Sequence, residues 1–474
     1  TKRPFLAMMF GNNTKQYGKE AVLFIEINSS FFSRHRKICV EKNSPLLSPE
    51  DVSEILKDLG VEFRRRVFTP FVTLYAFLSQ VFNDDASCKR AVIEVNAMRS
   101  VRRQKACCLN TGSFSKAKQR LPLELIERLT KKIASPEKRS WRHGRVFVVD
   151  GSGISMPDTP LNQSKFPSHT ENSAGFPVGH ILALFSLATG SMIDLTIAPM
   201  KGKGSGELSQ LAKLLRALGV GDTLLGDSLY SSFAVLVAAR SCNFHIVAEF
   251  RKNCSWRLRS KLANQIIRIE KPTHKPLYIS DSDFDNWPEY IDVRIVKLRC
   301  APKGFRVRTK FILTTHLSAE VTSEEILDLY KQRWQVELNF RSIKTELGMD
   351  ILRGHSPEMV VKEVWIHMLA YNLIRVEMLK AAIVGKRLPN EISFRATQQL
   401  LNVYRLVSSC NPLYADLLRK ELSEFISKQK VGARPDRYEP RAIKRRKKNF
   451  ALLNEDRKVA KQRLYKKHNR KRCA

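Results

Sequence analysis

The sequence predicts an α/β protein with a helical N-terminal region and a basic, helical C-terminus. Apolar residues recur at helical spacing from about residue 48 to residue 133. From residue 145 onward, short β-branched runs alternate with amphipathic segments, which is typical of strands and helices in one α/β unit. The end of the chain is different again, because residues 441–474 carry 15 lysines and arginines against Glu455 and Asp456.

The N-terminal region, residues 1–140, is predicted to be entirely helical. Ser48 followed by Pro49 is a typical helix start, and further helical runs follow Pro70 and Asp85. The net charge of the whole chain is +36, which indicates a polyanionic partner such as nucleic acid. We therefore interpret this arginine-rich region as DNA-binding, with a solvated helix bundle as the alternative. Its basic residues are Arg64, Arg65, Arg66, Arg99, Arg102, Arg103 and Lys105.

The next segment predicts a β-β-β-α-β-α-β order. Val146–Val149 is a short buried-strand run, and Asp150 follows where this strand is expected to meet a loop. Two further strands are joined by good hairpin-turn chemistry at residues 188–191, so the first three strands should form an antiparallel meander. The predicted later elements are strands at 180–187, 192–197, 223–225 and 245–250 and helices at 205–218 and 231–240.

Residues 251–319 break this order. They contain three β-type runs separated by polar turns, and we interpret them as an inserted β-rich subdomain. A long helix is then predicted to begin near Thr322, where Glu325 could complete a capping box, and to end near Gly348. A second long helix is predicted over residues 358–379.

Three carboxylates stand out by their positions. Asp150 follows the first strand, Asp227 follows the fourth, and Glu337 lies in the long helix after the insertion. In the predicted order the first and fourth strands lie side by side, so the helix could present Glu337 to the two aspartates. Such hard oxygen ligands bind Mg²⁺ or Mn²⁺, and two ions support in-line displacement at a phosphodiester. Taken singly, each aspartate could equally cap a turn.

The same helix carries a distinctive spacing. Tyr330, Arg333, Glu337 and Lys344 are separated by three, four and seven residues, which places them on one helical face. A carboxylate among two cations and a phenol is suited to gripping a phosphodiester beside a metal ion.

This spacing resembles the Tyr-Arg-Glu-Lys signature of bacterial insertion-sequence transposases of the DDE class, in the family named after insertion sequence four. Val148-Val149-Asp150-Gly151-Ser152-Gly153, followed by residues 157–162, resembles the first catalytic block of that family. Leu225-Gly226-Asp227-Ser228-Leu229-Tyr230 resembles the second. The resemblance extends from about Ser113 to the C-terminus.

The resemblance implies a ribonuclease H-like fold with Asp150, Asp227 and Glu337 as the metal-binding triad. It implies that Arg333 and Lys344 hold phosphates near the cut and that Tyr330 contacts a transposon-end phosphate. Trp334 and Arg341 are further candidate DNA contacts. Families of this type commonly cut the second strand through a hairpin with a flipped base, for which Trp256 and Trp334 are both candidate stacking residues.

The resulting expectation is a metal-dependent DNA transposase that cuts terminal inverted repeats and joins the 3′-hydroxyl ends to target DNA as a homodimer. The alternatives are a metal-dependent endonuclease without strand transfer and a catalytically silent DNA-binding protein. Dispersed cysteines and the lack of an apolar run of about 20 residues favour a cytoplasmic protein without a membrane partner. The resemblance implies that it is bacterial and associated with the nucleoid. The predicted domains are 1–140, DNA-binding; 141–250 and 320–385, the catalytic core; 251–319, the insertion; and 386–474, the C-terminal helical and basic region.

Overall fold

The structure, a computed structural model, describes residues 47–64, 66–134, 141–168, 175–202, 204–250, 264–300, 308–410, 412–432 and 455–472. The first 46 residues, Arg65, Trp256 and the basic residues 441–454 lie outside these ranges. The chain divides into two compact units. One comprises residues up to 145 with 188–191 and 370–442, and the other comprises 146–187, 192–369 and 443–474.

The described part of the predicted N-terminal region is helical, as expected. Its helices are α1 (Pro49–Asp58), α2 (Pro70–Phe82), α3 (Cys88–Val101), α4 (Gly112–Arg120) and α5 (Leu123–Ile133). The predicted start of α1 is confirmed, because Ser48 Oγ accepts the Asp51 N–H at 3.0 Å. Thr69 and Ser87 cap α2 and α3 in the same way. The DNA-binding role of these helices stays a prediction.

One mixed sheet organises the second unit. Its strands are β1 (Val146–Ser155), β2 (Val178–Ser186), β3 (Met192–Pro199), β4 (Thr223–Gly226), β5 (His245–Glu249), β6 (Gln265–Glu270), β7 (Tyr290–Cys300) and β8 (Arg308–Thr314). The strand order is β3-β2-β1-β4-β5-β8-β7-β6. The intervening helices are α6 (Pro160–Lys165), α7 (Glu207–Leu214), α8 (Phe233–Cys242) and α9 (Asp281–Asp285). The predicted antiparallel meander of the first three strands is confirmed.

The pairing of β1 differs between its two neighbours. It runs parallel to β4 only from Val146 to Val148, whereas its antiparallel pairing with β2 continues to Ser155. The expected adjacency of the first and fourth strands is therefore confirmed. The expectation that Asp150 ends the first strand is wrong, because β2 continues to pair with β1 beyond the last residue paired to β4. Asp150 still lies just past the parallel ladder.

The strands of the predicted insertion continue the same sheet. β8 pairs antiparallel with β5, and β7 and β6 follow beyond it. The three predicted β runs are thus present as strands, but they are hydrogen-bonded to the rest of the sheet instead of forming one of their own. Charged residues alternate along β6, which is the edge strand, as in Arg268 and Glu270.

The helix with the Tyr-Arg-Glu-Lys spacing is not uniform. It consists of α10 (Ser323–Lys331), a 3₁₀ turn (Gln332–Trp334), α11 (Gln335–Arg341) and a π-helical turn (Ser342–Glu346). The predicted capping box of Thr322 with Glu325 is present. The assumption of one regular 3.6-residue helix is wrong, because tighter and wider turns change the angular spacing on either side of α11.

The remaining described helices are α12 (Pro357–Val384), α13 (Phe394–Cys410), α14 (Ala415–Lys428) and α15 (Arg457–Arg472). The predicted second long helix thus corresponds to α12 and is longer than expected. α15 is strongly basic, as the C-terminal composition predicted. Among the described helices, none combines the length and apolar character needed to cross a membrane.

The two faces of the sheet are used differently around β1. Phe147 and Val149 join a buried core with residues of α7 and α8, including Leu211 and Leu236. Because side chains alternate along a strand, Val148, Asp150 and Ser152 lie on the opposite face. α11 packs on that opposite face, where the Phe340 ring meets the Phe185 ring edge-on at 5.4 Å. The sheet thereby brings Asp150 to the same side as the helix that carries Glu337.

Candidate functional site

Asp150 is a half-buried carboxylate near the centre of the sheet. Its Oδ1 accepts the Gly151 N–H at 2.9 Å, and Arg333 Nη1 lies 4.0 Å from its Oδ2. The pKa of Asp150 is raised to about 6, mainly by burial. The nearby charges of Asp227 and Glu207 contribute to this rise, while the Gly151 hydrogen bond and the Arg333 charge oppose it. The surroundings of Asp150 are therefore rich in negative charge and poor in water.

Asp227 lies directly after β4, at the strand end predicted for it. Its Oδ1 accepts the Leu229 N–H at 2.8 Å and so caps the 3₁₀ turn Ser228–Ser231. Gly226, the residue before it, is required by close packing, because a Cβ at this position would lie 2.4 Å from Cδ2 of the Tyr230 ring. The turn and the ring together define the position of the Asp227 carboxylate.

Arg333 lies between two of the predicted acids. Its Nη2 donates to Glu337 Oε1 at 3.2 Å, across one turn, while its Nη1 approaches Asp150. The structure therefore brings Asp150 and Glu337 to one guanidinium, and Asp227 interacts electrostatically with Asp150. Among the described residues, no three His, Cys, Asp or Glu side chains are grouped closely enough to hold a metal ion as they stand.

Lys344 contacts the first strand. Its Nζ donates to Ser152 Oγ at 3.1 Å and to the Gly153 carbonyl oxygen at 2.8 Å. Lys344 thus hydrogen-bonds the π turn to the part of β1 that follows Asp150. The ammonium group is partly exposed at this edge of the sheet.

Tyr330 is buried more deeply than a surface contact residue. It is 5% exposed, and its hydroxyl donates to Glu249 Oε2 at 3.4 Å. Burial and the Glu249 charge raise the pKa of the phenol above its usual range. Glu249, at the carboxyl end of β5, also accepts from Lys310 Nζ at 2.6 Å. Sequence reasoning missed Glu249 and Lys310, because only the pairing of β5 with β8 brings them together.

Trp334 and Arg341 are both exposed. Trp334 is the last residue of the 3₁₀ turn, and its side chain is 57% exposed. Leu338, one turn later, is 39% exposed. The other predicted stacking residue, Trp256, lies outside the described residues. An aromatic plane is therefore available to solvent beside Arg333 and Glu337.

The loops around the first catalytic block are held by buried polar residues. Asn162, which is fully buried, donates to the carbonyl oxygens of Pro157 and Gly354 at 3.0 Å. Glu363 accepts the backbone N–H groups of Arg353 and Gly354 at 2.8 to 3.0 Å. The start of α6 and the residues before it are thus tied to the segment that follows the π turn, close in sequence to Lys344.

The other aspartates of this region have local partners. Asp158 Oδ1 accepts from Gln163 at 2.9 Å, Asp194 Oδ1 accepts the Leu195 N–H at 2.8 Å, and Asp222 Oδ2 accepts the Gly219 N–H at 2.6 Å. These contacts fit turn or structural roles for the three aspartates.

His367 makes the stability of this region sensitive to acid. Its ring is fully buried in α12, with Nδ1 2.7 Å from the Glu363 carbonyl oxygen, and burial lowers its pKa to about 4. Because the unfolded chain takes up this proton near pH 6.5, stability should fall as pH drops from about 6.5 to 4, by up to about 3 kcal/mol. Thermal melts across this range should show a shallower decline for His367→Gln. The exposed His274→Gln is the control, and equal slopes for all three proteins would contradict the assignment.

Comparisons with known proteins fit this geometry. Residues 141–373 match the family described as the transposase DDE domain. The chain is 25% identical over 416 residues to the Transposase InsG for insertion sequence element IS4 of Escherichia coli K12, covering 84% of this chain and 91% of that protein. A shorter stretch of 63 residues is 36% identical to the Transposase for insertion sequence element IS421 of Escherichia coli, covering 13% and 17% of the two chains.

Among solved structures, the chain is similar to the piggyBac transposase synaptic complex with hairpin DNA. The TM-score is 0.41 and the identity 11%, with 87% of this chain and 85% of that chain covered. The matched family domain spans all three predicted acids and the whole Tyr-Arg-Glu-Lys spacing, and the relatedness to the IS4 transposase runs over most of both chains. Residues 141–373 are therefore a transposase DDE domain, and the chain is a DNA-cleaving and strand-transferring enzyme that is similar over most of its length to an insertion sequence four transposase.

Proposed function

We propose that Asp150, Asp227 and Glu337 form the catalytic triad and hold two Mg²⁺ or Mn²⁺ ions. The observation that carries this proposal is that Asp150 lies just past the parallel β1–β4 ladder, Asp227 directly follows β4, and one Arg333 guanidinium joins Asp150 to Glu337. DDE transposase domains generally use divalent metal ions. The donor set fits such ions, because it consists of carboxylate oxygens.

When bound, the ions would activate water or a 3′-hydroxyl and neutralise the leaving oxygen. The remaining work falls to side chains of this protein. Asp227 is oriented by its cap on the 3₁₀ turn, and Asp150 by the Gly151 N–H. Arg333 is charged at any working pH and would hold a phosphate oxygen near these acids. Lys344, anchored on β1, would do the same from the other side.

Tyr330, Trp334 and Arg341 are proposed to contact the transposon end. Arg341 and Trp334 are exposed and can meet DNA directly. Tyr330 is buried on Glu249, so a phosphate contact by its hydroxyl would require that hydrogen bond to be exchanged. We retain Tyr330 as a proposed contact of the terminal-repeat DNA on the strength of the signature.

We propose a cut-and-paste reaction through a hairpin intermediate, in which a flipped base stacks on Trp334. Trp334 is 57% exposed and directly follows Arg333 in the chain, which supports this choice. The fold would be ribonuclease H-like, with the domain boundaries predicted above. The DNA partners would be the terminal inverted repeats and target DNA, bound by a homodimer in the bacterial cytoplasm at the nucleoid.

The stacking role makes a specific prediction. Trp334→Ala should leave first-strand nicking intact and slow hairpin formation by roughly 5- to 150-fold, which corresponds to the 1–3 kcal/mol of a base–aromatic stack. Denaturing gels of a labelled transposon end would separate the two steps. Trp334→Phe keeps an aromatic plane and should retain most of the rate. Loss of nicking and hairpin formation in equal measure would argue against a stacking role.

The proposed function is tested with a supercoiled plasmid that carries the element, incubated with the purified protein and Mg²⁺ or Mn²⁺. Excised and integrated products with the wild type, absent with Asp227→Ala and Glu337→Ala, are expected. A parallel reaction with a pre-cut 3′ end separates the alternatives. Cleavage without joining of this end would indicate an endonuclease, and DNA binding without cleavage would indicate a silent DNA-binding protein.

A further inference from the structure

A hydrogen-bonded cluster on the other face of the sheet contacts the backbone beside both proposed aspartates. It consists of Glu207 at the start of α7, His180 on β2 and Tyr230 in the turn after Asp227. Glu207 Oε1 lies 3.0 Å from His180 Nε2, and Glu207 Oε2 accepts the Tyr230 hydroxyl at 3.4 Å. None of these residues belongs to the predicted triad or the Tyr-Arg-Glu-Lys spacing.

The contact with Tyr230 reaches Asp227. Tyr230 is 1% exposed, and its backbone N–H donates to the Asp227 carbonyl oxygen at 3.3 Å. Its ring lies against Gly226, which has no side chain to obstruct it. The Tyr230 backbone is thus part of the turn that Asp227 caps, and the hydroxyl lies at the opposite end of its rigid ring. A hydrogen bond to Glu207 fixes this ring.

The contact with Gly151 reaches Asp150. A Cβ added to Gly151 would lie 2.4 Å from His180 Nε2 and 2.5 Å from Glu207 Oε1. The side chains of Glu207 and His180 therefore fill the space directly over Gly151. The Gly151 N–H in turn donates to the Asp150 carboxylate. His180 is itself paired in register with Gly153 on β1. The Glu207 carboxylate thus lies against Gly151, next to Asp150, and accepts the Tyr230 hydroxyl in the turn that Asp227 caps.

We infer that Glu207 is a positioning residue, which sets the separation of Asp150 and Asp227 through His180, Gly151 and Tyr230. This inference rests on the proposed triad. Two ligands on different strands bind an ion tightly only if their separation is fixed before binding, and residues that orient metal ligands typically contribute 10- to 100-fold to metal affinity or activity. The Glu207 carboxylate also adds negative charge behind the site, which favours a divalent cation over longer range.

The test is Mn²⁺ binding to the full-length protein, measured by isothermal titration calorimetry without DNA and compared with the Mn²⁺ dependence of cleavage. We expect Glu207→Gln to raise the Kd and the KM for Mn²⁺ by about 10-fold, with most of the kcat recovered at saturating Mn²⁺. Glu207→Asp should recover part of the affinity. Gly151→Ala should reproduce the defect, because its methyl group displaces the Glu207–His180 pair.

The matched control is Glu324→Gln, which removes an exposed glutamate from the first turn of α10 and should bind Mn²⁺ like the wild type. Thermal melts identify any variant that fails to fold. If Glu207→Gln does not fold, the Mn²⁺ affinities of Glu207→Asp and Gly151→Ala test the inference instead. Wild-type Mn²⁺ affinity in folded Glu207→Gln and Gly151→Ala would overturn the inference. If Asp227→Asn also binds Mn²⁺ like the wild type, the proposed triad fails as well; if only Asp227→Asn loses affinity, the triad stands and the role of Glu207 fails.

Discussion

Asp150→Asn is expected to reduce DNA cleavage by more than about 1,000-fold, or about 4 kcal/mol of activation free energy. Asparagine has nearly the same shape and can still accept the Gly151 N–H, so the sheet should be preserved. What disappears is the negative charge, together with one of the two oxygens that could bind a metal ion. Loss of charge should also leave Arg333 paired with Glu337 alone.

Cleavage of a plasmid bearing the element, at saturating Mg²⁺ and with DNA binding measured separately, checks this prediction. Asp158→Asn is a close control, because Asp158 lies in the segment that follows β1 and its Oδ1 accepts from Gln163. DNA affinity should be retained in both variants. Cleavage by Asp150→Asn within tenfold of the wild-type rate would remove Asp150 from the triad.

Glu94→Ala is expected to destabilise the first compact unit by about 3 to 5 kcal/mol. Glu94 on α3 is 5% exposed, and its Oε1 accepts from Arg405 Nη1 at 2.6 Å. Its Oε2 accepts the buried Ser79 hydroxyl at 2.6 Å. Removing the carboxylate leaves the Arg405 guanidinium, whose side chain is 13% exposed, buried without its counter-charge.

Urea unfolding monitored by circular dichroism measures this effect. The matched control is Asp84→Ala, which breaks an ion pair with Arg395 in the same unit. The Asp84 side chain is 83% exposed, so its loss should cost no more than about 1 kcal/mol. The double variant Glu94→Leu/Arg405→Met removes both charges and should recover much of the loss. Equal destabilisation by Glu94→Ala and Asp84→Ala would show that burial does not matter for this pair.

Much of the architecture could be predicted from local patterns. The short apolar runs that became β1 to β5, the Ser48 cap and the Thr322 capping box all depend on residues close together in sequence. The adjacency of β1 and β4 followed from their order alone. The features that were predicted less well are those that depend on residues distant in sequence. The length of β1, for example, is set by β2, so Asp150 lies within the strand and not at its end.

The candidate site shows the same division. The types and spacings of Asp150, Asp227, Glu337, Arg333 and Lys344 are legible in the sequence, because short strands and one helix carry them. Their contacts are not. Regular helical spacing did not predict that a 3₁₀ turn and a π turn flank α11. The burial of the Tyr330 phenol against Glu249 could not be predicted either, since Glu249 and its partner Lys310 come from different strands.

Local patterns and spacings thus indicated the class of protein, most of the strand and helix order, and the residues proposed for metal-dependent chemistry on DNA. Only the folded arrangement shows that the insertion strands extend the same sheet, that Arg333 joins Asp150 to Glu337, and that Glu207 lies against Gly151 and accepts the Tyr230 hydroxyl. Periodicity and capping act within a few residues of chain, so they can be recognised without the fold. Strand pairing and the packing of charged side chains depend instead on contacts between residues far apart in sequence.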